Sequence, residues 1–311
     1  MNTKNYDLVI IGGGVAGYSA GIYAGRDNLD TVLLEKEVSG GTAGITDLVD
    51  NYPGFPEGIR GPDLVQKMKE QGKKFGLQID EFVEVQEIKP NNNDFTIVTN
   101  EDHYKSKSVI IVTGGRPRRL GLESEKRLAG RGVSYCATCD GPFFKDAEIA
   151  VVGGGDSAVQ EAIYLTEFAK KVYIIHRRDE LRAVSSLAER AFKNDKIEII
   201  WDTVVDEILG KDEVQGVKLK NVKSNELSQL DVEGVFIFIG WLPNTRFVAD
   251  LLELDDQNRI IVNEEMETSI PGIYAAGDVI SKKHRQIATA VGEATKAALN
   301  ASEKIHNQNS L

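Results

Sequence analysis

The chain has 311 residues, 41% of them hydrophobic, which exceeds the ~100–200 residues of one domain and leads us to expect two domains with sizeable cores. A formal net charge of -11 repels nucleic acid and anionic membranes over most of the surface and argues against either as a general partner. No apolar run approaches the ~18 residues of a membrane span, and residues 1–7 lack the charged and apolar regions of a signal peptide, so a cytoplasmic protein is expected.

Residues 6–11 form a short apolar run rich in β-branched side chains and read as a strand. Gly12-Gly13-Gly14-Val15-Ala16-Gly17 follows at once, then a small-residue stretch to Gly25 that reads as a helix, then residues 31–35 as the next strand. In such a unit Gly12 permits the tight turn, Gly14 lets backbone approach a pyrophosphate, Gly17 lets helix pack close to strand, and the helix N-terminus faces the phosphates. Glu35, at the end of the second strand, suits the two ribose hydroxyls of an adenosine without a 2′-phosphate, as in FAD or NAD. A Gly/Pro-rich loop spans residues 39–62. A helix is predicted over 63–75, short alternating strands between 78 and 104, and a strand over 108–112 that ends in Thr113-Gly114-Gly115. Residues 116–120 read as a linker.

The two cysteines, Cys136 and Cys139, are separated by Ala137 and Thr138. Two are too few for a secreted disulfide framework, and in a reducing compartment the spacing suggests redox chemistry. A structural zinc needs about four ligands, and none of the histidines (His103, His176, His284, His306) lies beside the pair, so no metal is expected. Two incidental buried thiols remain an open reading at this point. Asp140 is placed either as an acid beside Cys139 or as a turn residue before Gly141-Pro142.

Residues 147–152, then Gly153-Gly154-Gly155-Asp156-Ser157-Ala158, a helix-like run to Phe168 and a strand over 172–175 repeat the first plan. This unit ends not in an acid but in His176-Arg177-Arg178-Asp179-Glu180-Leu181-Arg182. Those cations suit the 2′-phosphate of NADPH, with a solvated basic segment as the alternative. Alternating segments around 197–201, 214–220 and 234–239 lead to a second crossing point at 240–244. The remainder, with Ala276-Gly277-Asp278 and a closing helix beginning near Arg285, is too short for a domain of its own. The first domain is therefore read as discontinuous, residues 1–117 and 246–311, with residues 118–245 inserted.

In their order, the first glycine turn, Asn51-Tyr52-Pro53-Gly54, Thr113-Gly114, Cys136-Ala137-Thr138-Cys139-Asp140-Gly141, the second glycine turn, residues 176–183, Ala276-Gly277-Asp278 and Arg285-Gln286 resemble the low-molecular-weight bacterial and archaeal thioredoxin reductases over nearly the whole chain. The resemblance implies an α/β fold of two Rossmann-like nucleotide-binding domains, of the two-dinucleotide flavoprotein type, the second inserted into the first. It implies FAD across Gly12, Gly14, Ala16 and Gly17, with Glu35 at the adenosine ribose and Gly41, Thr42 and Asn51 toward the flavin. Thr113 and Gly114 would lie near the adenine side, Asp278 near the ribityl and pyrophosphate, and Arg285, Gln286 and Ile287 near the isoalloxazine ring. NADPH would lie on Gly153, Gly155, Asp156, Ser157 and Ala158, with His176, Arg177, Arg178 and Arg182 toward its 2′-phosphate.

The same resemblance makes Cys136 and Cys139 a redox-active disulfide, Cys139 nearer the flavin, Cys136 attacking the partner, and Asp140 handling a proton. Electrons would pass from NADPH through FAD to the pair and on to thioredoxin or a thioredoxin-like protein, in a homodimer joined through the FAD domain. Glutaredoxin-like or peroxiredoxin carriers, and a redox-sensing nucleotide-binding module, are the other readings. Thr42 stands where the family commonly has Gln, and Ala294 where a second glycine often follows; both are expected to alter the flavin pocket.

Overall fold

The computed structural model describes residues 2–309 apart from 47, 50 and 283. The chain runs through β1 (Thr3–Ile11), α1 (Val15–Arg26), β2 (Thr31–Glu35), α2 (Gly61–Lys74), β3 (Gln78–Glu81), β4 (Val85–Pro90), β5 (Phe95–Thr99) and β6 (His103–Ile111). Next come β7 (Gly115–Pro117), α3 (Glu123–Leu128), β8 (Val133–Ser134), α4 (Ala137–Asp140), β9 (Glu148–Val152), α5 (Asp156–Leu165), β10 (Lys171–Ile175), α6 (Ser185–Phe192) and β11 (Ile197–Ile200). The last elements are β12 (Thr203–Leu209), β13 (Gly216–Asn221), β14 (Leu227–Leu230), β15 (Gly234–Ile237), β16 (Trp241–Pro243), β17 (Ile273–Ala275) and α7 (Ile287–Asn309). Two compact units result: Met1–Arg116 with Leu242–Leu311, and Pro117–Trp241.

In the first unit the sheet order is β3-β2-β1-β6-β5-β4, with β17 also on β6. β1 is parallel to both β2 and β6 and is covered on both faces, which is why its end reads as a continuous apolar run. Leu8 and Ile10 enter one core cluster with Tyr18, Leu33 and the alanines of α7; Val9 and Ile11 enter another with Val32, Val109 and Ile260. That alternation follows the period of two along a strand. β6 starts at His103, five residues before the predicted strand, because Thr3–Tyr6 pairs with His103–Ser106, a stretch in which Tyr104 is the one core side chain among polar neighbours. The ends of this unit close on each other: Thr113 Oγ1 donates to the Asn244 carbonyl and Asn244 Nδ2 to the Thr113 carbonyl, both at 2.8 Å.

In the second unit a parallel sheet, β11-β10-β9-β15-β8, accompanies an antiparallel one, β12-β13-β14. α3, β12 and β14 lie outside the predicted elements. α3 is only six residues long, and β12 is interrupted by a register shift between Val205 and Glu207 that breaks the alternation a strand would show. β1 and β9 each deliver a glycine turn at the C-terminal end of a parallel strand, where open α/β sheets bind ligands.

Candidate active site

Cys136 and Cys139 are joined as a disulfide, with Cα atoms 5.3 Å apart and both residues half-buried. Cys136 caps the short helix α4, and the Cys139 backbone N–H donates to Cys136 Sγ at 3.2 Å. A donor aimed at sulfur favours thiolate there, so Cys136 is the better nucleophile of the two once the disulfide is opened. Asp140, at the end of α4, accepts a hydrogen bond from Ser134 Oγ at 2.5 Å. Glu125 is wholly buried. It accepts from the N–H groups of Leu120 and Gly121 and from the Tyr135 hydroxyl at 2.7 Å, tying the loop after β7 to the residue before Cys136. Burial, reinforced by Glu125, pushes the Tyr135 phenol above its ordinary value.

The first glycine turn packs on the end of β6. Gly12 has φ +118, and a Cβ there would lie 2.5 Å from the Val112 carbonyl oxygen. Gly14 differs: a Cβ would meet nothing nearer than the Gly41 Cα at 4.0 Å. Its lack of a side chain answers no need of the protein's own packing and leaves a cradle for a ligand. Gly40 N–H donates to the Gly13 carbonyl, so the loop with Gly41 and Thr42 docks on this turn. Glu35 accepts from Gly13 N–H at 2.6 Å and Glu37 N–H at 3.0 Å, each oxygen keeping a lone pair for a ribose hydroxyl.

Gly277 backs onto Ala16, which brings Asp278 to the same turn. Among the described residues Asp278 Oδ1 is buried without a hydrogen-bond partner and is faced at 3.5 Å by Lys282 Nζ. Burial raises its carboxyl above the usual range, while Lys282 and Arg285 pull the other way. A hydroxyl-bearing ligand would satisfy that oxygen, so these residues fit a dinucleotide. Asn51 Nδ2 donates to Gln286 Oε1 at 3.1 Å, joining two residues predicted to flank a flavin. Thr42 is exposed. Ala294 is 0% exposed within the core cluster of α1 and α7, so it packs the fold and does not line a pocket.

The second turn repeats this geometry. At Gly153 (φ +149) a Cβ would strike the Phe238 carbonyl, whereas at Gly155 it would find nothing within 4 Å. Ala158 is buried against the turn; Asp156 and Ser157 are exposed at the start of α5. The following loop is stapled back: Arg182 N–H donates to the Gly154 carbonyl at 2.7 Å and Val184 N–H to Asp156 Oδ1 at 2.7 Å. Arg177, Arg178 and Arg182 are all exposed beside the turn, and Lys223 pairs with Asp179 at 2.9 Å, offsetting the acid in their midst.

His176 stands apart from the arginines. It is 4% exposed, its imidazole lies where a Gly154 Cβ would be, its ring makes a T-shaped contact with that of Trp201, and burial lowers its pKa. It is a neutral floor to the turn, not one of the cations offered to a phosphate. Sequence reasoning missed Ser134, Glu125, and the Lys282–Glu293 pair, whose Glu293 Oε2 also accepts from Gly277 N–H. The signal available for Ser134 was a hydroxyl at the end of a short buried strand leading to Cys136.

Among the described residues no helix is long and apolar enough to cross a membrane. The model of the pyridine nucleotide-disulphide oxidoreductase family matches residues 6–294. The chain is 46% identical to the thioredoxin reductase of Listeria monocytogenes, over 97% of this chain and 94% of that one. It is 47% identical to that of Rickettsia conorii, over 97% and 98%. The crystal structure of thioredoxin reductase from Streptococcus pyogenes superposes with a TM-score of 0.93 at 46% identity, covering 97% of this chain and 99% of that one. With its two glycine turns and its Cys136–Cys139 disulfide, the chain belongs to the pyridine nucleotide-disulphide oxidoreductase family and, within it, to the thioredoxin reductases.

Proposed function

We propose that the protein uses NADPH and FAD to reduce the disulfide of thioredoxin or a thioredoxin-like protein. The observation that carries this is the Cys136–Cys139 disulfide, half-exposed, with a backbone donor aimed at Cys136 Sγ and a carboxylate on the next residue after Cys139. FAD and NADPH, when bound, supply the two electrons that open this disulfide. The first unit, Met1–Arg116 with Leu242–Leu311, is the FAD domain: Gly12, Gly14, Ala16, Gly17, Glu35, Asp278, Thr113 and Gly114 hold the dinucleotide, and Gly41, Thr42, Asn51, Arg285, Gln286 and Ile287 surround its ring. The second unit, Pro117–Trp241, is the NADPH domain, with Gly153, Gly155, Asp156, Ser157 and Ala158 at the pyrophosphate and Arg177, Arg178 and Arg182 at the 2′-phosphate. His176 supports that turn from beneath.

Cys136, as thiolate, attacks the partner disulfide, and Cys139 resolves the mixed disulfide. Asp140 delivers the proton that the departing thiolate requires. The protein works as a cytoplasmic homodimer, a reading supported by its family.

The test is an assay with NADPH, FAD-loaded protein and oxidised thioredoxin. Thioredoxin is expected to be reduced; Cys136→Ser is expected to abolish this while flavin absorbance still bleaches with NADPH, and Cys139→Ser to trap thioredoxin on Cys136. Persistence of thioredoxin reduction in Cys136→Ser would overturn the division of roles. A preference for NADH would overturn the part given to the three arginines.

A further inference from the structure

Ser134 closes β8, whose partner β15 holds it through the Phe236–Ser134 pairing, and its side chain is buried at 4% exposure. Its Oγ is 3.1 Å from Cys136 N and 2.5 Å from Asp140 Oδ2. The backbone N–H can only donate, so Oγ accepts from Cys136. The single hydroxyl proton has Asp140 Oδ2 at 2.5 Å and the Cys136 carbonyl at 3.3 Å, and it goes to the nearer acceptor, so that a protonated Asp140 carries its proton on Oδ1. A directed chain results, from Cys136 N–H through Ser134 Oγ–H to Asp140 Oδ2. It ties the carboxyl group to a strand of the sheet, although Asp140 itself belongs to the four-residue helix α4. Opening the disulfide removes the cross-link between Cys136 and Cys139, whereas the Ser134 link contains neither sulfur.

We propose that Ser134 is a positioning residue for thiol–disulfide exchange: it holds the Asp140 carboxyl in register with Cys136 so that a proton reaches the departing thiolate. The inference rests on the reading of Asp140 as proton donor. In the exchange, Cys136 thiolate forms a bond to one substrate sulfur, the substrate S–S bond breaks, and the departing thiolate takes the Asp140 carboxyl proton. The Cys139 thiol then returns its proton to Asp140 and attacks Cys136 Sγ, releasing the second substrate thiolate, which is protonated by water. Two electrons pass from the dithiol to the substrate, and Asp140 ends as it began.

The experiment mixes pre-reduced holoprotein with either hydroxyethyl disulfide or an aromatic nitrobenzoate disulfide. An aliphatic thiolate needs a proton as it leaves, whereas an aromatic one departs as the anion. Ser134→Ala is expected to slow the aliphatic exchange about tenfold and Asp140→Asn about a hundredfold, so that the ratio of aromatic to aliphatic rates rises in both. Adding Ser134→Ala to Asp140→Asn is expected to slow the aliphatic exchange no further, because the two act through one group. Equal slowing with both disulfides means a disturbed strand and overturns the proposal, as do an unchanged ratio or a full tenfold loss in the Asp140→Asn background. The wild-type protein is assayed in parallel with NADPH and thioredoxin. Failure there together with the leaving-group contrast sinks the proposed function and upholds the role of Ser134.

Discussion

Glu81, the last residue of β3, accepts from the Ser39 hydroxyl and backbone N–H and pairs with Lys69 Nζ at 2.9 Å. The Ser39 hydroxyl, then Lys69, hold its carboxyl at about 2, below the ordinary 4.5. A carboxyl whose folded value is depressed contributes stability above its unfolded value and loses it as pH falls through the folded one. The contribution is therefore complete above about pH 4.5 and gone near pH 2. Its side chain is 28% exposed, and with screening the contribution is about 2 kcal/mol. Glu81→Gln is expected to unfold at lower urea concentration than wild type at neutral pH, with the gap closing as the solution is acidified below about pH 4.5. A gap that stays constant with pH would refute this assignment. Nothing in the sequence marks Glu81, because Ser39 lies 42 positions away and only the fold brings the two together.

The glycine turns were legible because everything they need is local: an apolar strand, glycines at fixed offsets, a small-residue helix. Their two kinds of glycine separate by experiment. Gly12→Ala places a side chain at φ +118 and 2.5 Å from a carbonyl oxygen, and should cost at least about 2 kcal/mol of stability. Gly155 has φ -92 and ψ 179, which any residue adopts, and its Cβ would enter open space. Gly155→Ala should leave the melting temperature nearly unchanged, a change of about 0.5 kcal/mol or less, yet weaken NADPH at least about tenfold by filling the pyrophosphate approach. Undiminished nucleotide binding by Gly155→Ala, read by calorimetric titration, would remove this turn from the proposed site. What stayed hidden is non-local or a matter of burial. The arginine run gives no sign that His176 turns inward under Gly154, and nothing local to Ala294 in the sequence marks the packing of α7 on α1 that buries it.

At the scale of the molecule, each unit carries its own core. The first has the clusters built on the two faces of β1. The second is built likewise on the two faces of β9: Ile149 and Val151 join Phe236 on one, and Ala150 and Val152 join Leu128, Val217 and Val235 on the other. The ends of each unit also meet within that unit. Thr113 and Asn244 exchange two hydrogen bonds in the first, and Arg118 N–H donates to the Gly240 carbonyl at 2.9 Å in the second. Adjacent ends make excision cheap in loop entropy. Residues 117–241 expressed alone are therefore expected to unfold in a single cooperative transition and to bind NADPH. The first unit, with a short Gly/Ser bridge in place of 117–241, is expected to fold and bind FAD. The bridged unit needs α7, because Ala294, Ala297, Ala298, Ala301 and Ile305 are all buried in the cluster that covers α1. Ending the chain at residue 286 removes those side chains, uncovers the helix that follows the first glycine turn, and should abolish cooperative unfolding and FAD binding together. Thermal melts followed by circular dichroism, with and without each nucleotide, read all three pieces. A piece 117–241 that melts without cooperativity would show that the cores are not independent, and a bridged first unit that still binds FAD after loss of α7 would show that the α1 cluster does not need that helix.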